Sequence, residues 1–102
     1  KRIKTYKVDQ CSIDSMENLF KKKIGKNFDL IIDDGLHAPY TNINFILACL
    51  NKVKKNGWLI IEDIPFKTKP IWSIISLILS KNEKCFLVKT KNCYVFCINK
   101  KG

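Results

Sequence analysis

The chain has one arginine, one histidine and one methionine in 102 residues, with only four glycines and three prolines. Each shortage excludes something. A lone arginine, Arg2, leaves no guanidinium cluster of the kind that reads phosphates and base edges, although 19 basic against 9 acidic residues give a net charge of +10. The lysines are scattered through every segment, so the excess reads first as a solvated surface and disfavours a nucleic-acid partner. The glycines, Gly25, Gly35, Gly57 and Gly102, nowhere form a Gly-x-Gly phosphate loop. Five cysteines (Cys11, Cys49, Cys85, Cys93 and Cys97) make neither a C-x-x-C pair nor a zinc pattern, which points to free thiols in a reducing, cytoplasmic setting. No apolar run can span a bilayer, since the longest, Ile71 to Leu79, is short and carries Ser73 and Ser76. No signal-peptide pattern is read either. The only methionine is Met16, so the chain reads as a piece of something longer: one partial domain over residues 1–102.

What is present is enough for a core, with 46% hydrophobic and 27% charged residues. The stretch from Phe28 to Asp63 organises the rest. Two apolar runs, Phe28 to Ile32 and Trp58 to Ile61, each end in paired acids, Asp33-Asp34 and Glu62-Asp63. Such runs, flanked by turn residues, suit parallel strands buried on both faces. An amphipathic segment from about Thr41 to Lys55 lies between them, with Asn56-Gly57 as the turn into the second strand. A right-handed crossover then places the ends of both strands on one edge of the sheet, where open α/β sheets bind ligands.

Around this unit the pattern predicts βαβαβαββ. A weak strand occupies Lys1 to Asp9. A helix follows with Asp14 as N-cap and Glu17 three residues later, Met16, Leu19, Phe20 and Ile24 as its buried stripe, and Gly25 as its stop. Thr41 or Asn42 caps the second helix, after Pro39 has biased Ala38 away from helical angles. Pro70 suits a first helical turn. The helix it opens, Ile71 to Leu79, is apolar on nearly all sides and needs burial all round, by a longer parent chain or by a second copy in a homo-oligomer. Cys85 to Thr90 and Tyr94 to Asn99 read as a closing antiparallel hairpin.

Acids gathered at neighbouring strand ends are costly unless something neutralises them, and carboxylate oxygens suit a hard divalent ion such as Mg2+. Asp34, Glu62 and Asp63 are the candidates. Alternation along the strand lets only one of Asp33 and Asp34 face the site. His37, three residues after Asp34, has a pKa range that suits a general base.

The segments Phe28-Asp29-Leu30-Ile31-Ile32-Asp33-Asp34-Gly35-Leu36-His37 and Val53-Lys54-Lys55-Asn56-Gly57-Trp58-Leu59-Ile60-Ile61-Glu62-Asp63 resemble the second half of a class I S-adenosylmethionine-dependent methyltransferase. More narrowly they are similar to the metal-dependent sugar O-methyltransferases of macrolide biosynthesis. The resemblance implies a partial Rossmann-like α/β sheet, with parallel strands, helices on both faces and a C-terminal antiparallel hairpin. It implies S-adenosylmethionine as cofactor near Asp9, Gln10 and Asp33, Mg2+ on Asp34, Glu62 and Asp63, and His37 as the base that deprotonates a small hydroxylated acceptor. Leu36 departs from the family's serine, and Lys55-Asn56-Gly57 stands for its proline-glycine-glycine turn. The family's glycine-rich loop has no counterpart here, so the isolated chain is expected to bind the cofactor poorly and turn over little. Two other readings stay open: a non-catalytic half-domain that self-associates through Ile71 to Leu79, and a lysine-rich module that binds or methylates RNA.

Overall fold

The computed structural model describes residue 6, residues 9–35 and residues 38–101. The weak N-terminal strand and His37 therefore lie outside the described residues. Helix α1 (Ile13–Leu19) begins at Ser12, whose hydroxyl accepts from the Ser15 amide at 3.1 Å. This corrects the expected Asp14 cap: Asp14 sits in the first turn, where its charge meets the positive end of the helix dipole. One wide turn, Phe20–Ile24, extends the helix to Gly25, which stops it at φ 98° with its amide on the Phe20 carbonyl.

Strand β1 (Phe28–Asp33) follows, then α2 (Pro39–Cys49). The second helix starts earlier than expected. Ala38 is its N-cap and Pro39 opens the first turn, so Thr41 and Asn42 are buried inside that turn and do not cap it. It also ends earlier, because Val53 already pairs with Phe28 and belongs to β2 (Val53–Ile64). The expected Asn56-Gly57 turn is absorbed as an irregularity within β2. Asn56 takes φ 69°, and Gly57 lets the strands close up, since a Cβ there would meet the Asp29 carbonyl at 2.8 Å. Helix α3 (Lys69–Leu79) and the hairpin β3 (Lys84–Lys89) and β4 (Tyr94–Asn99) complete the order.

The sheet order is β1-β2-β4-β3. The parallel β1–β2 pair and the antiparallel β3–β4 hairpin are as the sequence predicts, and the structure adds the antiparallel pairing of β2 with β4. Met16 of α1, Ile46 and Cys49 of α2, and Trp72 of α3 join Leu59, Ile61, Phe96 and Ile98 of the sheet in one core. The fold is α/β, but the described helices gather on one face only. On the other, Leu30 is 52% and Ile32 47% exposed, and Trp58, Phe86 and Val88 are exposed beside them. The strands are thus not buried on both faces, because the crossover helices pack against the same side. Helix α3 is covered on one side only, as expected where one short sheet cannot enclose it: Trp72 is fully buried, yet Leu77 is 73% exposed and Ile71, Ile74 and Ile78 face solvent. An all-apolar helix pattern says that cover is needed without saying which side the rest of the chain supplies.

Candidate active site at the carboxyl edge of the sheet

Period-two alternation assigns the first acid pair. Ile31 and Asp33 project toward the helices, whereas Leu30, Ile32 and Asp34 project toward the bare face. Asp33 is 2% exposed, and protein donors occupy both carboxylate oxygens. Gln10 Nε2 at 3.0 Å and the Gly35 amide at 3.1 Å reach Oδ1, and Asn42 Nδ2 at 2.8 Å reaches Oδ2. A buried carboxylate needs such donors, and here three segments are tied to it: the chain before α1, the loop after β1 and the first turn of α2. A Cβ at Gly35 would collide with the Gln10 side-chain amide, so a larger residue there must displace that amide from Asp33. Asp33 is thereby a clamp on the loop that presents Asp34.

Asp34 itself is exposed. The parallel register sets Ile32 beside Ile60 and Asp33 beside Ile61, which brings Asp34 level with Glu62 at the end of β2. Asp63 would point to the opposite face if β2 ran on regularly. It does not, because Asp63 adopts φ 56° and the register of β2 against β4 shifts between Ile61 and Ile64. That kink turns Asp63 to the same side, and one oxygen from each of Asp34, Glu62 and Asp63 lies within 4.8 Å of the others. Three such oxygens at the solvent boundary match the donor set that a hard divalent cation takes.

The remaining site residues fall as follows. Asp9 is exposed, and its carboxylate accepts from the Cys11 amide at 2.9 Å. Gln10 is half-buried, held by Asp33 through its side chain and by Asn44 Nδ2 through its carbonyl at 3.3 Å. Sequence reasoning missed two neighbours. Asn42, taken only as a cap candidate, is the closest donor to Asp33, and a buried amide nine residues after a strand-end acid gives no local signal. Cys93, in the β3–β4 turn, places Sγ 3.8 Å from Asp63 Oδ1 and 3.3 Å from Thr90 Oγ1. That proximity arises from the antiparallel pairing of Tyr94 with Ile64, a long-range fact.

No helix of the described residues is long and apolar enough to cross a membrane. No protein-family model matches the chain, and no curated protein matches its sequence. Solved structures do. The chain is similar to the MycE methyltransferase of the mycinamycin biosynthetic pathway in complex with Mg and SAH, at 19% identity and TM-score 0.69, with 98% of this chain and 33% of that one covered. The same protein in complex with Mg, SAH and mycinamycin VI matches at 20% identity and TM-score 0.69, over 98% of this chain and 32% of that one. An rRNA methylase from Streptococcus thermophilus matches at 19% identity and TM-score 0.61, over 87% of this chain and 55% of that one. The chain thus spans about a third of the length of the MycE structures. With the parallel pair, the closing hairpin and the strand-end acids in place, this chain has the fold of the class I methyltransferases.

Proposed function

We propose that the chain is a partial methyltransferase domain whose site serves methyl transfer from S-adenosylmethionine to the hydroxyl of a small acceptor, with Mg2+ at the acid cluster. The convergence of Asp34, Glu62 and Asp63 on the carboxyl edge of this sheet carries the reading. When bound, the divalent ion supplies Lewis acidity that makes a hydroxyl easier to deprotonate. The chain's own residues do the rest. Asp34, Glu62 and Asp63 hold the ion, and Asp33 fixes the loop that presents Asp34. His37, in that same loop by sequence, takes the hydroxyl proton. Asp9 and Gln10 contact the methyl donor from the chain before α1. With both its oxygens occupied, Asp33 contributes to donor binding by positioning Gln10. The likeness in fold to MycE, a methyltransferase in complex with mycinamycin VI, favours a small-molecule acceptor.

Metal binding tests this directly. Titration with Mn2+ in place of Mg2+, followed by water-proton relaxation, should show one saturable site, weakened about tenfold or more by Asp34→Asn or Asp63→Asn. His37→Ala should leave that binding unchanged, since His37 acts as base and not as a metal ligand in this reading. Absence of saturable Mn2+ binding, or binding indifferent to both carboxylate changes, refutes the metal-assisted reading.

A further inference from the structure

Helix α3 is apolar apart from a narrow stripe in which Lys69, Ser73 and Ser76 recur at one-turn and two-turn spacing. The acid cluster leaves this stripe unused. It faces the covered side of the hairpin, where Lys69, Ser73 and Ser76 line a cleft of about 470 Å3 together with Leu87, Lys89 and Tyr94. The cleft thus lies on the helix side of the sheet, whereas Asp34 and Glu62 stand on the bare side.

Its chemistry is one-sided. The lining offers two ammonium groups, two aliphatic hydroxyls and a phenol, and no carboxylate. Neither lysine takes part in an ion pair among the described residues. Both are instead steadied over rings: Lys69 Nζ is 5.9 Å from the Tyr94 centroid, and Lys89 Nζ is 5.4 Å from that of Phe66. The two rings pack edge to face at 5.1 Å, so the cations are linked through a shared aromatic pair. The first turn of α3 adds positive potential, since it holds no acid and no side chain caps it. Leu87 and the face of Tyr94 supply an apolar wall, the usual complement to a few convergent polar groups in a ligand site.

We propose that this cleft is a second binding site, for a small anion that carries a phosphate or carboxylate on an apolar or aromatic body. The ammonium groups of Lys69 and Lys89 take the charge, the hydroxyls of Ser73 and Ser76 donate to its oxygens, and Leu87 and Tyr94 pack the body.

The test uses the 102-residue chain without metal or methyl donor, which keeps it independent of the proposed catalytic site. Phenyl phosphate, benzoate and the neutral benzyl alcohol are each titrated while backbone amide resonances are followed. Saturable shifts at Ser73, Ser76 and Lys89 are expected with at least one of the two anions, and the stronger of them names the headgroup. Lys69→Gln with Lys89→Gln should weaken that binding about tenfold or more, as loss of charge-assisted hydrogen bonds does. Lys54→Gln with Lys55→Gln, at the far end of β2, should not change it. If the paired lysine variant fails to fold, Ser73→Ala with Ser76→Ala carries the same test and should weaken binding severalfold. Non-saturating shifts, equal response to benzyl alcohol, or full affinity in the variants overturns the proposal.

Discussion

Replacing Asn42 by leucine keeps the branched shape of a buried side chain and removes one of the three donors that hold the Asp33 carboxylate. The donor lost is the shortest of the set, Nδ2 to Oδ2 at 2.8 Å, and among the described residues no other donor reaches that oxygen. A hydrogen bond to a charged group contributes roughly 1.5–3 kcal/mol, and leaving the buried acceptor unsatisfied adds to the loss, so a cost of about 2–3 kcal/mol is expected for Asn42→Leu. Against a total stability of roughly 5–15 kcal/mol for a domain of this size, that is a large share. Thermal unfolding followed by circular dichroism should show Tm lower by on the order of 10–20 °C. A double-mutant cycle isolates the cause. Asp33→Asn removes the charge while keeping the shape, so Asn42→Leu should cost at least 1 kcal/mol less in that background, roughly, than in the wild type. Because the same carboxylate accepts from Gly35, loosening it should also weaken Mn2+ binding at temperatures well below Tm. A fall in Tm of less than about 3 °C, or an equal cost in both backgrounds, refutes the view of Asp33 as a clamp.

Three further outcomes follow from individual side chains. Burial pushes the Cys49 thiol up to about 12 from an ordinary 9.0. A raised folded pKa stabilises fully below the unfolded value and is lost as pH climbs through the folded one. Urea unfolding should therefore show a loss of about 2 kcal/mol between roughly pH 9 and pH 11 that is absent in Cys49→Ala. Asp63→Gly should relieve the left-handed backbone at φ 56° and raise stability by roughly 1 kcal/mol while weakening Mn2+ binding, read by calorimetry on the same sample. The alternative in which α3 pairs with a second copy is tested by Ile74→Lys with Leu77→Lys, at side chains 60% and 73% exposed: sedimentation of the unaltered chain as a monomer refutes pairing, whereas a larger species that these changes reduce, with Tm nearly unchanged, supports it.

Much of this arrangement was legible because it rests on short-range rules. Alternation along β1 divides Asp33 from Asp34, and the apolar runs ending in acids mark the parallel pair. What failed was choice among local equivalents and anything set by distant packing. Ser12 and Asp14 both qualify as caps by residue type, and only the hydroxyl's reach to the Ser15 amide decides between them. The amphipathic segment reads as running on to Lys55, yet β-branched Val53 already pairs with Phe28 and fills the core. The face of Leu30, Ile32 and Trp58 is bare although the sequence predicts burial, because a run of apolar residues looks the same whether one side or both is covered.

The kink at Asp63 shows how core packing sets the chemistry. Ile61 and Ile64 are both buried, at 0% and 1% exposure, on the helix side of one strand. Three positions is an odd spacing, so an unbroken strand would send them to opposite faces. One residue between them must absorb the conflict, and Asp63 does so in the left-handed region. The energies favour this: burying an isoleucine contributes roughly 1.5–3 kcal/mol, whereas a left-handed aspartate costs about 1 kcal/mol, aspartate being among the residues that tolerate that conformation best. The same rotation swings the Asp63 carboxylate round to join Glu62 and Asp34. The acid cluster is therefore maintained from beneath, by an apolar side chain that touches no ligand.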